Sequence, residues 1–551
     1  MNVSTPADNS PPGTNAPRLR CGWLTGTSTA AIAQLLLLLL AGWVRRHALN
    51  PDGVAYLRIA NYYAHGQTGL ALSGYWGPLL SWMLTPLLAA GLSPLLAARI
   101  VMALTAMFFL QGCLAVFRAF ELPEAHQCLG AWLAVPVSVC WSVENITPDL
   151  LSAGLAGYAV GLMVRRVWWE KLRAPMWAGM LWGLAFLAKA AAFPLALAVI
   201  LGMVIIWRGR RAGDRKKVAR AALATLLGFA LVAGPWVKVV SGKYHRLTIS
   251  RSAQLNHAMV GPANVNRFYP LDRGLQAPEP GRVTFWEDPD LPYPDWSPLA
   301  SAGNALHQGE IILKNLPRVV VMLTSVCLLV PWLLLMFIPQ LNSGESRRDL
   351  AAQRWRWAWP PVAALGATYL GGNLLISEQR YFYAAFPFLF VVCAAVFLRG
   401  QLSRWKMWLV ALAFLVPTLA RPTTWRPPSM TAGECAWRLA EKLSAHGFAG
   451  PVASSAQMPG GRAGMYVAFH LNVPWYGDAR QGTASEFEKS GARLVIVNRT
   501  LPVCQDLDRN TNFVDLDGRL FASPEAAARF PLKAYESAAA GAGQGVGIER
   551  H

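Results

Sequence analysis

The sequence predicts an α-helical polytopic membrane protein of about eleven spans with a small extracytoplasmic α/β domain at its C-terminal end. Three observations predict this class. Of 551 residues 54% are hydrophobic and only 15% charged, with a mean hydropathy of +0.31, which excludes a string of soluble domains. Apolar segments long enough for a ~30 Å hydrocarbon core, about 20 residues each, recur along most of the chain. Lysine and arginine concentrate in loops that share one side of the resulting map.

Taken in order, the spans fall at 26–45, 97–118, 127–143, 149–165, 175–189, 190–207, 219–240, 318–339, 357–376, 381–398 and 406–420. The stretch WGPLLSWMLTPLLAAGL (76–92) is short and contains Pro78 and Pro86, so it reads as an interfacial or re-entrant helix. The clusters RRVWWEKLR (165–173), WRGRRAGDRKKVAR (207–220), ESRRDLAAQRWR (345–356) and RGQLSRWK (399–406) mark the cytoplasmic side; Arg45 and Arg46, at the outer end of the first span, run against that rule. The net charge of +20 is therefore mostly topology. It is spread over membrane loops and forms no basic stripe with stacking aromatics, so nucleic acid is not an expected partner; membrane lipids are.

Residues 1–22, rich in Pro, Asn, Ser and Thr, read as a disordered cytoplasmic tail with no signal-peptide pattern, and the first span is expected to be retained. The membrane domain runs over 23–420 and includes outer loops at 46–96 and 241–317. Beyond it, 421–551 changes character: GECAWRLAEKLSAHGF, PVASS, TASEFEKSGA and RLVIVNRT alternate helix and strand, an extracytoplasmic α/β domain. The terminal GAGQGVG (541–547) has neither a strand before it nor a helix after it and reads as a flexible tail. The eight cysteines show no CxxC spacing and so no metal framework. Cys113, Cys128, Cys140, Cys327 and Cys393 are expected as thiols in or beside spans; Cys435 and Cys504 could pair in the outer domain. The acidic runs EDPD (287–290) and DLD (506–508, 515–517) read as solvated loop acids.

Ionisable groups at membrane depth are functional candidates by default. Three outward junctions carry them: Asp52 with Tyr56, Arg58, Asn61 and Tyr62; Glu144 and Asp149 in WSVENITPDLL; and Glu378, Arg380, Tyr381 and Tyr383 in ISEQRYFYAAFPF. Lys189, in LAFLAKAAAFP, joins them. The structural alternatives are a helix cap for Asp52, a snorkelling Lys189, a rim pair between Arg380 and Glu378, and a headgroup anchor for Arg99.

These blocks resemble a family. PDGVAYLRIANYYAHG is similar to the loop after the first span in membrane glycosyltransferases of the GT-C type that use polyprenyl-phosphate sugars, the bacterial relatives of protein O-mannosyltransferase and lipid A aminoarabinose transferase (glycosyltransferase family 39-like). WGPLLSWMLTPLLAAGLSPLLAARI, ending near Arg99, ENITPDLLSAGL, GLAFLAKAAAFP and EQRYFYAAFPF match further family blocks in order, over roughly 50–400. Two departures stand out: Asp52 is followed by Gly53 where members often carry a second acid, and Tyr75-Trp76-Gly77-Pro78 replaces a Lys-Pro-Pro found in many.

The resemblance implies transfer of a sugar from a polyprenyl phosphate to a hydroxyl of a glycan, lipid or protein at the outer face of a bacterial inner membrane. For that chemistry Asp52 is the candidate general base. Arg380, Lys189, Arg99 and Tyr381 are candidates for the donor phosphate, and Tyr56 and Tyr62 for shaping the substrate. Glu144 and Asp149 either orient the acceptor or help hold a divalent cation, with Asp52 and Glu144 the possible metal ligands; no cofactor is obligatory. One base and an oxocarbenium-like transition state imply inversion. The competing classes are a transporter or flippase, which would place charge near the bilayer midplane on repeated halves, and a non-catalytic scaffold.

Overall fold

A computed structural model describes residues 26–165, 167–208, 215–264, 271, 274–290, 294–335, 359–370, 378–398, 403–421, 431–455, 462–479, 483–497, 514–515 and 520–522. The tail 1–22, the cluster 345–356, Cys504, the acids 506–508 and the glycine run 541–547 lie outside them.

The described chain is mostly helix. α1 (Thr27–Val44), α5 (Pro94–Ala119), α11 (Arg215–Lys243) and the segment Gln379–Phe397 are long and apolar enough to cross a membrane. They make the chain an integral membrane protein. α1 illustrates the solvent this fold is built for: Leu36, Leu39 and Leu40 are exposed, while Gln34 is buried and donates to the Ala106 carbonyl (2.9 Å) and to Ser138 Oγ (2.8 Å). Apolar side chains face outward and the one amide finds partners inward, as a hydrocarbon surround requires.

Between these run α6 (Glu124–Glu144), α7 (Asp149–Met163), α9 (Arg173–Ala188) and α10 (Ala192–Arg208). α5 and α7 pack closely where Gly112 faces Gly154. The chain breaks between α9 and α10 at Lys189, whose backbone is extended. Residues 76–92 form a helix only over α4 (Pro78–Ala89), which rests on α2 (Pro51–Ala64) and α5. One expected span is corrected: 318–339 is not continuous. Its first part belongs to a helix that starts much earlier, Ala302–Thr324, and ends at Ser325. An N-capping Ser301, whose side chain accepts from Asn304 N at 3.1 Å, sets that start.

The loop region after α11 is largely irregular, with α12 (Arg251–Met259) and a 3₁₀ turn at Phe285–Glu287. It lies between α2 and the C-terminal sheet. The sheet has five strands in the order β2-β1-β3-β5-β4, with β1 (Val452–Ser455), β2 (Trp475–Ala479) and β3 (Leu494–Ile496) parallel and β5 (Leu520–Ala522) and β4 (Val514–Asp515) antiparallel. The helix Ala463–Leu471 and strand β2 were not foreseen: AGMYVAFHL is apolar on every face, so no helical period shows in the sequence. The sheet is fastened to the outer loop through Trp475, whose backbone N–H donates to the Val283 carbonyl at 2.7 Å and whose ring stacks on Phe285.

Candidate functional site

The site begins at the first turn of α2. Asn50 occupies the N-cap in extended geometry and Pro51 follows at the first helical position, where its missing N–H costs nothing. The helix therefore starts three residues before Val54, and no side chain caps it. Asp52 is thus not a cap. The Asn50 side chain instead accepts from Ile146 N at 2.8 Å, tying the start of α2 to the segment leading into α7. That close approach explains Gly53: a Cβ there would stand 2.9 Å from Ile146 Cβ and 2.8 Å from Asn50 Oδ1. A second acid beside Asp52 has no room.

Asp52 receives two donors from distant parts of the chain. Arg380 Nη1 lies 2.7 Å from Oδ2, and the Trp286 indole Nε1 donates to Oδ1 at 3.3 Å. Arg380 stands in a 3₁₀ segment, Gln379–Ala385, and its Nε pairs with Glu378. The rim pair exists, but the same guanidinium also reaches Asp52. Lys189, freed from helical geometry by the break after α9, pairs with Asp149 at the start of α7. Its Nζ sits 4.0 Å from the Tyr381 ring centroid, in cation–π range. The lysine is therefore paired inside the protein and does not simply snorkel.

These groups line one cavity of about 380 Å³ that contains Asp52, Tyr56, Asp149, Lys189, Arg380 and Tyr381. Its other walls are aromatic (Tyr75, Trp76 and Trp286) and polar (Thr147, Ser250, Ser252 and Asn256). Trp76 Nε1 donates to the Trp286 carbonyl at 2.7 Å, and Tyr75 and Trp76 pack against the Trp286 ring. All five of the quoted sequence blocks meet here.

Other candidates lie elsewhere. Glu144, named with Asp52 as a possible metal ligand, does not line the cavity with it; it pairs with Arg421 at 3.5 Å. Arg99 is buried and donates to the backbone carbonyls of Val143 (3.1 Å) and Ala48, bracing two chain turns, and it does not line this cavity. Tyr62 turns away as well, donating to Glu287 Oε2 at 2.7 Å. Glu287 is itself fully buried, which overturns the reading of EDPD as solvated acids for its first two residues. Its Oε1 accepts from the backbone N–H groups of Val283 (3.0 Å) and Thr284 (2.9 Å). Asp288 accepts from Lys243 (2.6 Å), Tyr244 (2.9 Å) and Ser73 (2.9 Å). Burial raises the Glu287 carboxyl above its ordinary value against the pull of Arg58, and burial followed by the Asp288 charge pushes the Tyr244 phenol to about 12.

Sequence reasoning missed Trp286, Tyr75 and Trp76 as site residues, and with them Ser250, Ser252 and Asn256. An available signal was the acidic-aromatic run FWEDPD in an otherwise irregular loop. Among the described residues no group of three or more His, Cys, Asp or Glu side chains is disposed to hold a metal ion.

The chain is similar to a solved structure of ArnT from Cupriavidus metallidurans bound to undecaprenyl phosphate, at 14% identity and a TM-score of 0.53, over 92% of this chain and 98% of that one. The same protein in its apo state scores 0.45 at 15% identity over 92% and 100% of the two chains. The arabinofuranosyltransferase AftD from Mycobacteria scores 0.44 at 14% identity over 91% of this chain and 38% of that one; these two scores add no weight. No family model and no curated protein matches the sequence. At such identity the likeness is one of fold, and the chain has the GT-C fold that its sequence blocks resemble.

Proposed function

We propose that the chain transfers a sugar from a polyprenyl-phosphate donor to an acceptor hydroxyl at the outer face of the membrane, with inversion and with Asp52 as general base. The observation that carries this reading is the meeting of Asp52 with Arg380, and of Asp149 with Lys189, in one cavity. The fold is shared with a protein solved bound to undecaprenyl phosphate, and the lipid-phosphate donor is brought over from there.

The chemistry follows from the pairs. An alcohol becomes a competent nucleophile only as its proton leaves, and the cavity's free-standing acceptor for that proton is the Asp52 carboxylate once Arg380 turns to the phosphate. Arg380 and Lys189 each hold a carboxylate in the resting arrangement, so donor binding exchanges one anionic partner for another. The leaving phosphate then departs against two fixed cations. Tyr381, under the Lys189 ammonium, and Tyr56 shape the chamber; Asp149 orients Lys189 or the acceptor. Were a divalent cation used, Asp52 or Asp149 would hold it, and it would supply positive charge for the leaving phosphate. In this reading the membrane spans hold the site outward, the N-terminus is cytoplasmic, and the C-terminal sheet with its helices is an extracytoplasmic α/β domain above the cavity. The sugar, hexose or pentose, is set by the Trp76, Trp286 and Ser250 walls.

The test is donor turnover by purified protein in liposomes. Asp52→Asn keeps size but removes the base, and transfer should fall roughly 10²- to 10⁴-fold in protein that still inserts and folds, beyond whatever stability is lost with the Arg380 pair. A variant that transfers at the parental rate leaves Asp52 without a chemical role.

A further inference from the structure

We propose that the chain carries a second ligand site, a pocket behind α2, which takes an uncharged, hydroxyl-rich saccharide unit. Along α2 each residue advances by about 100°. Asp52 and Tyr56 face the cavity described above, whereas Arg58, Asn61, Tyr62 and His65 share the opposite flank. That flank, the chain around Arg282 and the residue Asn472 enclose a cavity of about 430 Å³, within the ~300–1,000 Å³ range of small-molecule sites.

The lining decides the ligand class. It offers the carboxamides of Asn61, Gln67 and Asn472, the His65 imidazole and the edges of two guanidiniums, and no carboxylate. An anion is nonetheless disfavoured, because both guanidiniums are already answered from behind. Arg58 Nε lies 3.9 Å from Glu287, and Arg282 lies 2.8 Å from Glu279, 3.9 Å from Glu287 and 3.8 Å from Asp288. With Lys243 on Asp288, three cations face three carboxylates. A phosphate would enter a region with no surplus positive charge and would have to compete with fixed acids.

What remains available is neutral hydrogen-bonding capacity. Among the described residues no group takes the side-chain amide of Asn61 or Gln67. His65 Nδ1 lies 2.8 Å from the Asn61 carbonyl and donates to it, which fixes the ring's orientation at the pocket edge. Arg58 is held in place by Asn472 Oδ1 (2.7 Å) and the Tyr62 hydroxyl (3.2 Å), so its remaining N–H groups are fixed in direction. Paired donors and acceptors on planar amides, beside a fixed guanidinium edge, match the vicinal hydroxyls of a sugar ring.

The wall between the two cavities is the turn Phe285–Glu287 with its lead-in: Val283 lines the second pocket, Glu287 locks Tyr62, and Trp286 reaches Asp52. A saccharide in the second pocket is then a further unit of the acceptor glycan; that assignment rests on the proposed transferase function, and the binding site does not.

Saturation-transfer NMR on the full chain in lipid nanodiscs tests the proposal, with glucose, mannose and arabinose as probes and inorganic phosphate as competitor. At least one sugar should receive saturation. The Asn61→Ala/Gln67→Ala pair, on a half-buried and an exposed position, should weaken it by at least about tenfold while the melting temperature holds. Asp52→Asn should leave it unchanged, and phosphate should not displace it. Sugar signals that survive the double variant, signals that vanish with Asp52→Asn, displacement by phosphate, or no signal from any sugar would each overturn it. Sugar binding with this pattern in a protein that turns over no polyprenyl-phosphate sugar would keep the second site and remove the transferase reading.

Discussion

Arg380 holds two carboxylates with one guanidinium, Nη1 on Asp52 at 2.7 Å and Nε on Glu378, and replacing it separates structure from chemistry. The Arg380 and Asp52 side chains are 11% and 15% exposed, so truncating one partner resembles breaking a buried pair, about 3–5 kcal/mol. Glu378 is 40% exposed, and solvent screening holds its share below about 1 kcal/mol. In Arg380→Ala, Asp52 keeps only the Trp286 indole. The variant should be destabilised by about 3 kcal/mol or more and should lose a further 10²- to 10³-fold in donor turnover, the scale for removing one donor from a developing anion. Arg380→Lys keeps the charge without the fork; it should recover much of the stability and little of the turnover. The double variant Asp52→Asn/Arg380→Ala has no stranded carboxylate and should be more stable than Arg380→Ala alone, by about 1–3 kcal/mol of coupling. Melting in nanodiscs and turnover of a labelled donor are read on the same samples. If Arg380→Ala melts with the parent and turns over donor within about threefold, the pair is peripheral and the leaving-group role fails.

Gly77 faces the end of α9, and a Cβ there would lie 2.5 Å from the carbonyls of both Leu187 and Ala188. Gly77→Ala should therefore cost about 1–3 kcal/mol and displace Lys189, lowering turnover. Gly69→Ala, with open space around it, is the control; equal behaviour of the two would refute the packing argument. Burial, followed by the charge of His47, depresses His470 to about 4. The fold holds it neutral while the unfolded chain protonates near 6.5, so stability is full above that value and falls as the pH drops towards 4. Between pH 7 and 5, hydrogen exchange in Ala463–Leu471 should report a loss of about 1–2 kcal/mol that His470→Gln abolishes; an unchanged pH dependence would count against the buried neutral form. Reporters fused after Arg421 should appear outside the cytoplasm and those near Arg215 inside. The reverse would put Asp52 on the cytoplasmic face and end the outer-face reading.

How far the sequence could be read depends on what each residue's neighbours are. The helices were legible because lipid imposes a length and a composition on any segment that crosses it, as in α1, α5 and α11, and because Lys189 interrupts two apolar runs where the chain in fact leaves helical geometry. The grouping of Asp52, Asp149, Lys189 and Arg380 was reachable only through the order of the blocks, since no period connects residue 52 to residue 380. Glu144 belonged to the same outward junctions by every sequence criterion, yet the orientation of its helix end sends it to Arg421. Sequence depth alone does not distinguish the two carboxylates.

The irregular loop was the least legible part. Nothing local reveals that Glu287 is buried, because its burial is stabilised from four separate places: Tyr62 on α2, Arg58 one turn earlier, Arg282, and the backbone of its own turn. An acid in a Pro-rich loop is solvated unless such partners converge, and only the tertiary fold brings them. The consequence is mechanical. Glu287 fixes the turn, the turn aims Trp286, and Trp286 with Arg380 leaves both Asp52 oxygens occupied in the resting cavity. Each oxygen keeps a second lone pair, so a hydroxyl can approach, but it competes there with the two donors already in place. Arg380 is the one that an anionic donor would draw away, whereas the indole is held by Trp76, Tyr75 and the locked turn. On the proposed transferase reading, an acceptor that enters before the lipid-phosphate donor meets Asp52 still bonded to both Arg380 and Trp286.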